Sequence, residues 1–277
     1  MSKNPIQELW EITEPAIKCE KTLVFWESYK DNRENLSSYS ANGFSLMQAG
    51  KPLKPELVPP LKVKQRGFGS EGGRSRLIHA ICHIEFNAIN LALDAMLRFP
   101  GMPEEYYSDW LSVAADESRH FMMLQKRLQD YGKSYGDYPA HDGLWQMAIN
   151  TSDDCLKRMA LVPRVLEARG LDVTPGMLVK LRQAGDMETV KVLEVILDEE
   201  VGHVEIGTRW FHYLCAQQNV DPTRTFGLLL QQHYSGAIKR PFNIEARLKA
   251  GFKVQEMDLL ECMADGRSDC MESDESV

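Results

Sequence analysis

The chain has 277 residues, of which 43% are hydrophobic and 26% are charged, so it is long enough to bury a full core without disulfides. Its formal net charge of -8 gives no overall attraction to nucleic acid or to an anionic membrane. No apolar run approaches about 18 residues and Met1 starts no charged-then-apolar leader, so we expect a cytoplasmic protein without a membrane span.

The cysteines are scattered and contain no Cys-x-x-Cys pair. This spacing predicts reduced thiols in a reducing compartment, and it disfavours a zinc ribbon or a redox pair. The positions are Cys19, Cys82, Cys155, Cys215, Cys262 and Cys270.

Helical patterning begins at once, and residues 1–48 are predicted to form an N-terminal helical module. The stretch 49–75 is rich in Pro and Gly and predicts an extended basic connector. It is either a solvated loop that balances an acidic body or a clamp for an anionic partner. Its cations, together with the next one along the chain, are Lys51, Lys54, Lys62, Lys64, Arg66, Arg74 and Arg76.

Residues 76–218 predict four long helices, arranged as a hairpin, a crossover and a second hairpin. The third of these is expected to kink at Pro163 and to stop at Gly170. Two further helices broken at Pro241 are expected over 219–264, and an acidic disordered tail over 265–277. No segment alternates in the manner of a strand. The fold class is therefore all-α, a ferritin-like four-helix bundle with additions at both ends.

Two segments repeat one motif, Glu-x-x-His preceded by an acid. They are ADESRHF, with Glu117 and His120, and DEEVGHV, with Glu200 and His203. Residues three apart share one face of a helix, so each Glu and its His point the same way.

Two single glutamates complete the pattern. Glu85 lies on the apolar stripe of the first long helix, and Glu167 interrupts the packing face of the third, where an unpaired carboxylate would be costly to bury. Glu117 follows Glu85 by 32 residues, and Glu200 follows Glu167 by 33. Four carboxylates and two imidazoles are the donor set of a di-iron or di-manganese centre, whose metals would offset the buried negative charge.

We call Glu85, Glu117 and His120 the first triad, and Glu167, Glu200 and His203 the second triad. A metal-bound imidazole usually donates its other N–H to a carboxylate. The acids that precede the motifs are therefore predicted to cross-pair, Asp116 with His203 and Glu199 with His120. The alternative is that Asp116 and Glu199 are surface acids or that they pair with Arg119.

The remaining histidines give weaker signals. His79 and His83 are four residues apart and could bind a metal, but position 83 is about 200° around the helix from Glu85, which favours packing or surface roles. His141 lies in the crossover, where a structural hydrogen bond is favoured over contact with a substrate.

Several segments together resemble a bacterial family of ferritin-like proteins catalogued as a domain of unknown function. They are KPLKPELVPP, LIHAICHIEFNAINLALDAMLRFP, DESRHF, YPAHDGLW, LVPRVLEARGLDVTPGM and DEEVGHVEIGTRWF, and the resemblance covers about 50 to 255. That family is similar to the MiaE-type tRNA hydroxylases, non-haem di-iron monooxygenases. The resemblance implies the same six ligands, although Glu199 stands where di-iron enzymes usually have Asp.

The leading hypothesis is an O2-dependent di-iron oxidoreductase, a hydroxylase with two Fe ions, or with Mn, that needs an electron donor and a small-molecule or nucleoside substrate. A monomer or a dimer is expected, without membrane contact. The alternatives are a ferroxidase, a tRNA-modifying hydroxylase, and a structural bundle that binds metal without turnover.

Overall fold

The computed structural model describes residues 4–40, 48–63, 67–234, 236–267 and 270. Among these residues every regular secondary-structure element is a helix, and one isolated β-bridge joins Leu57 to Ala140. The expectation of an all-α protein is confirmed. The expected disordered tail at 265–277 lies mostly outside the described residues.

The chain divides into two compact units. Unit 1 contains Met1–Ile149 and Lys180–Leu193, and unit 2 contains Asn150–Val179 and Glu194–Val277. In unit 1, α3 packs along α4, α2 also packs on α4, and α1 packs on α3. The helices of this part of the chain are α1 (Pro5–Glu11), α2 (Pro15–Asn32), α3 (Glu71–Arg98), α4 (Glu104–Asp130) and α5 (Gly143–Asn150).

Helix α3 begins at Glu71, five residues before the expected start at Arg76. The cause is a helix cap, since the side chain of Ser70 accepts a hydrogen bond from the backbone N–H of Gly73. By length and composition α3 could cross a membrane, but its most apolar stretch is 89% buried inside the protein. Such burial is typical of a core helix.

The second half of the chain is a series of helices around a π-helical turn, Val162–Glu167. In unit 2, α9 packs against α6 and α11, while the end of α7 and the start of α8 belong to unit 1. The helices are α6 (Cys155–Leu161), α7 (Ala168–Gln183), α8 (Met187–Gln218), α9 (Pro222–His233), α10 (Ile244–Lys249) and α11 (Val254–Ala264).

The expected helix end at Gly170 is wrong, because α7 continues through Gly170 and Pro175 to Gln183. Leu171 and Leu181 in this helix are fully buried. Burial of this kind outweighs local helix propensity, including the roughly 3 kcal/mol cost of an interior proline.

The end of the chain also differs from expectation. Over the described part of 222–264 there are three helices, because a break after α10 adds to the expected one at Pro241. Gly251 causes this second break by adopting a φ of +83°, which glycine tolerates best.

The expectation that all cysteines are reduced is wrong for one pair. Cys262 in α11 forms a disulfide with Cys270, eight residues later. The chain turns back after α11 and brings the two Cα atoms to 5.7 Å, within the normal range for a disulfide. Cys19, Cys82 and Cys215 are buried free thiols.

Candidate metal centre

Helix α3 carries Glu85 into the core of unit 1. Ile81, Ala88 and Ala92 share its face and are buried, and Glu85 itself is only 5% exposed. The apolar stripe thus carries one carboxylate inward, as the spacing predicted.

Helix α4 supplies the rest of the first triad. Glu117 and His120 are buried, and His120 Nδ1 lies 3.2 Å from Glu85 Oε2 and 3.3 Å from Glu117 Oε2. One ligand atom from each residue can be chosen so that all three lie within 4.8 Å of one another. The donor set of two carboxylates and one imidazole fits Fe or Mn.

The electrostatics of the first triad favour a bound cation. Burial, and then repulsion from Glu117, raise the pKa of Glu85 well above its ordinary value. Burial alone would lower the pKa of His120, but the carboxylates of Glu117 and Glu85 raise it to about 11. Without a metal, protons supply the positive charge that these carboxylates require. A divalent ion would supply it instead and release those protons on binding.

The second triad lies in unit 2. Glu200 and His203 are buried on α8, and His203 Nδ1 lies 3.2 Å from Glu200 Oε2. Both motifs therefore turn Nδ1 of the histidine toward the glutamate of the preceding turn, and the expected shared face is confirmed for each pair.

Glu167 is the last residue of the π-helical turn and is 8% exposed. Turns of this kind are frequent at functional sites, because one extra residue re-aims the side chains on that turn. Three residues later, Gly170 packs next to α8, since a Cβ there would lie 3.9 Å from Glu200 Cγ, an ordinary van der Waals distance. Glu167 thus lies three residues before a position that packs next to Glu200 of α8.

A buried arginine, which the sequence reading did not single out, anchors the π-helical turn. The guanidinium of Arg164 lies 4.1 to 4.4 Å from the ring centroids of Phe211, Phe226 and Phe252. Its Nη2 forms an ion pair with Glu256 Oε1 at 2.7 Å, and both side chains are fully buried. The sequence did contain a signal for this buried arginine: Arg164 precedes the predicted ligand Glu167 by three residues, in a helix predicted to have a buried face.

The acids next to the motifs are partly exposed. Asp116 Oδ1 lies 2.6 Å from Arg119 Nη2, so the alternative pairing suggested by the sequence is present. A carboxylate has several acceptor positions, and this ion pair therefore leaves Asp116 able to accept a second donor. The cross-pairing of Asp116 with His203 and of Glu199 with His120 stays a prediction.

The other histidines in α3 hold the loop that follows α4. His79 Nε2 accepts a hydrogen bond from the N–H of Gly136, and His83 Nδ1 lies 2.8 Å from the hydroxyl of Tyr135. Their packing roles are confirmed. His141 Nδ1 accepts from the N–H of Gly143, the structural bond that the sequence favoured.

Two cations of the connector that was expected to be extended and basic form ion pairs within unit 1. Lys51 pairs with Asp142 at 2.9 Å, and Arg74 lies 3.4 Å from Asp186. Lys64 and Arg66 lie outside the described residues.

Comparison with known proteins gives a family without an assigned activity. Residues 11–258 match the model of the family described as "Protein of unknown function (DUF455)". The chain belongs to this family. It is also 46% identical over 269 residues to an "Uncharacterized protein" of Haemophilus influenzae, covering 91% of this chain and 93% of that one. No solved structure matches.

Proposed function

We propose that the protein is an O2-dependent non-haem di-iron oxidoreductase of the hydroxylase type, in which the two triads together bind two metal ions. The observation that carries the proposal is the first triad, because two carboxylates and an imidazole are buried with their ligand atoms within 4.8 Å of one another. The repeated motif extends this set by a second triad of the same composition.

Two reduced irons held by these ligands would supply the chemistry of O2 reduction: with two electrons from a donor and two protons, one oxygen atom would enter a substrate C–H bond and the other would leave as water. The chain holds the ligands in place through their helices and excludes water by burying them. Mn is the alternative metal, because the same donors suit it. The resemblance to MiaE-type hydroxylases supports this reaction class.

Metal stoichiometry tests the proposal directly. Purified protein loaded anaerobically with Fe(II) is expected to bind two irons per chain and then to consume O2. The variants Glu117→Ala and His203→Ala should each lose stoichiometric binding, whereas Glu20→Ala, on the exposed side of α2, should retain it. Two irons in Glu117→Ala would show that the site is misplaced.

The alternatives predict other results. A ferroxidase would oxidise Fe(II) and need no organic substrate, and a structural metal bundle would bind iron but consume no O2. A tRNA hydroxylase would bind tRNA with an affinity that falls steeply with salt, because the binding would rest on neutralised phosphates. The ion pairs of Lys51 and Arg74 within the protein reduce the positive charge available for such binding.

A further inference from the structure

Unit 1 contains a pocket of about 330 Å³ between α3, the loop that follows α4 and the start of α5. This volume is in the lower range of small-molecule sites. Its lining includes Arg76, Ile84, Asn87, Tyr138 and Leu144, and none of the first triad.

The pocket is separate from the candidate metal centre. Asn87 lies two residues after Glu85 on α3, which turns the two side chains about 200° apart around the helix. The pocket and the first triad therefore use opposite faces of α3.

Asn87 carries a polar atom that lacks a partner. The side chain is 2% exposed, and among the described residues its Oδ1 has no hydrogen-bond donor. The orientation of the amide is fixed, because the atom 2.8 Å from the carbonyl oxygen of His83 has to be the donor Nδ2. A buried acceptor of this kind is rare in native proteins, and a bound molecule or a water can supply its donor.

The rest of the pocket selects for shape and charge. Ile84 is 43% exposed, a large apolar side chain left uncovered. The guanidinium of Arg76 lies 5.4 Å from the ring centroid of Tyr138. Lys62 adds a second cation to the lining and Asp137 the one acid, so the lining has an excess of positive charge.

We propose that this pocket binds a small planar aromatic molecule with an N–H donor at one end and a carboxylate or phosphate at the other. The N–H group meets Asn87 Oδ1, the ring packs on Ile84 and Leu144, and the anionic group pairs with Arg76 and Lys62. This binding requires no metal and is independent of the proposed oxidoreductase activity.

Three related probes test the two polar features in turn. Fluorescence titration of the full chain in EDTA should show binding of 6-amino-2-naphthoate. Loss of one hydrogen bond to a buried acceptor should make 2-naphthoate bind about 10-fold more weakly, and loss of the anionic group should weaken 2-aminonaphthalene about 5-fold. Equal affinities for all three probes, or no binding of any, would overturn the proposal, and no binding would assign the acceptor to a water molecule.

Two variants test which residues cause the affinity differences among the probes, and circular dichroism checks that each variant folds. Asn87→Leu should abolish the difference between 6-amino-2-naphthoate and 2-naphthoate. Arg76→Gln, at a half-buried position, should abolish the difference between 6-amino-2-naphthoate and 2-aminonaphthalene, and it remains informative if Asn87→Leu does not fold. Lys249→Gln, at an exposed position of α10, is the control and should change neither difference. Differences that persist in both pocket variants would contradict the proposal.

Discussion

His120 and His203 have the same local geometry although they lie in different units. Each presents Nδ1 to the glutamate three residues earlier, at 3.3 and 3.2 Å. The Nε2 atom lies on the other side of each ring and would be the donor to an outer carboxylate if Nδ1 bound a metal. This shared ring orientation is the basis for predicting that Asp116 and Glu199 accept the outer N–H of the two histidines.

Replacing Asp116 by Asn is expected to keep the fold and to weaken metal binding by about 10- to 100-fold, because the amide is a poorer acceptor for the N–H of His203. The measurement is an Fe(II) titration together with thermal unfolding. Arg119→Gln is the matched control, since it removes the observed ion pair with Asp116 and leaves the carboxylate. If both variants weaken metal binding equally, Asp116 acts through Arg119 and the predicted cross-pairing fails.

Glu256 links stability to pH. Burial alone would raise its pKa, but the His212 ring and the Arg164 guanidinium lower it to about 2 from the ordinary 4.5. The ionised carboxylate therefore stabilises the fold above pH 4.5, and this stability is lost as the pH falls from 4.5 toward 2. The shift corresponds to about 3 kcal/mol.

We expect Glu256→Gln to lower the free energy of unfolding by about 3 kcal/mol at pH 7, since it leaves the Arg164 guanidinium buried without a counter-ion. At pH 3 the difference from the parent protein should shrink, because the parent has lost part of the same stabilisation. Urea unfolding at both pH values measures this. Glu245→Gln, at an exposed position of α10, should have little effect at either pH, and an equal loss from Glu256→Gln at pH 7 and pH 3 would refute the linkage.

At the scale of elements, α8 and the π-helical turn approach each other closely. A Cβ on Gly207 would lie 2.3 Å from Cβ and Cγ of the Pro163 ring. The ring is rigid, so the turn that carries Glu167 cannot adjust without moving its backbone.

Gly207→Ala should therefore destabilise the protein by about 1 to 3 kcal/mol and also weaken metal binding by displacing Glu167. Gly176→Ala in α7 is the control, because nothing lies within 4 Å of its added Cβ. This control should be neutral or stabilising by up to about 1 kcal/mol, through better helix propensity. Thermal unfolding and metal titration distinguish the two variants, and a Gly207→Ala protein with unchanged stability would contradict the close packing.

Much of the element pattern was readable from the sequence. The end of α8 at Gln218 agrees with the predicted end of the four-helix region at 218, and the inward faces of Glu85 and Glu117 follow from helical spacing. Local signals failed where tertiary burial dominates, as at Gly170 and Pro175 inside α7. The π-helical turn was not predicted, because Pro163 inside a helical pattern indicates a kink and does not specify its π-helical form.

The pocket was also missed, and for a related reason. Periodicity marks His83 and Asn87 as polar interruptions of an apolar helix, but it does not reveal that the loop after α4 covers them. Ala140 of that loop pairs with Leu57, a contact distant in sequence.

At the scale of the whole molecule, the helices outside the bundle pattern bear on the choice between an oxidoreductase and an iron-storage protein. In unit 2, Arg247 of α10 forms an ion pair with Asp172 of α7 at 2.8 Å, and both side chains are buried. The Phe252 ring that precedes α11 also lies against Arg164. The C-terminal helices are thus integral to unit 2, and a shell of small four-helix subunits has no need of them.

We therefore expect a monomer or a dimer in solution, measured by size-exclusion chromatography with light scattering before and after anaerobic loading with Fe(II). A storage protein encloses its mineral in a closed symmetric assembly of many subunits, and its mass should then correspond to a 12- or 24-subunit shell that takes up far more than two irons per chain. Such a mass would favour iron handling over the proposed oxidoreductase. A monomer or dimer that binds two irons and stops there has no interior in which to store more, so the O2 it consumes would be available for oxidation of a substrate.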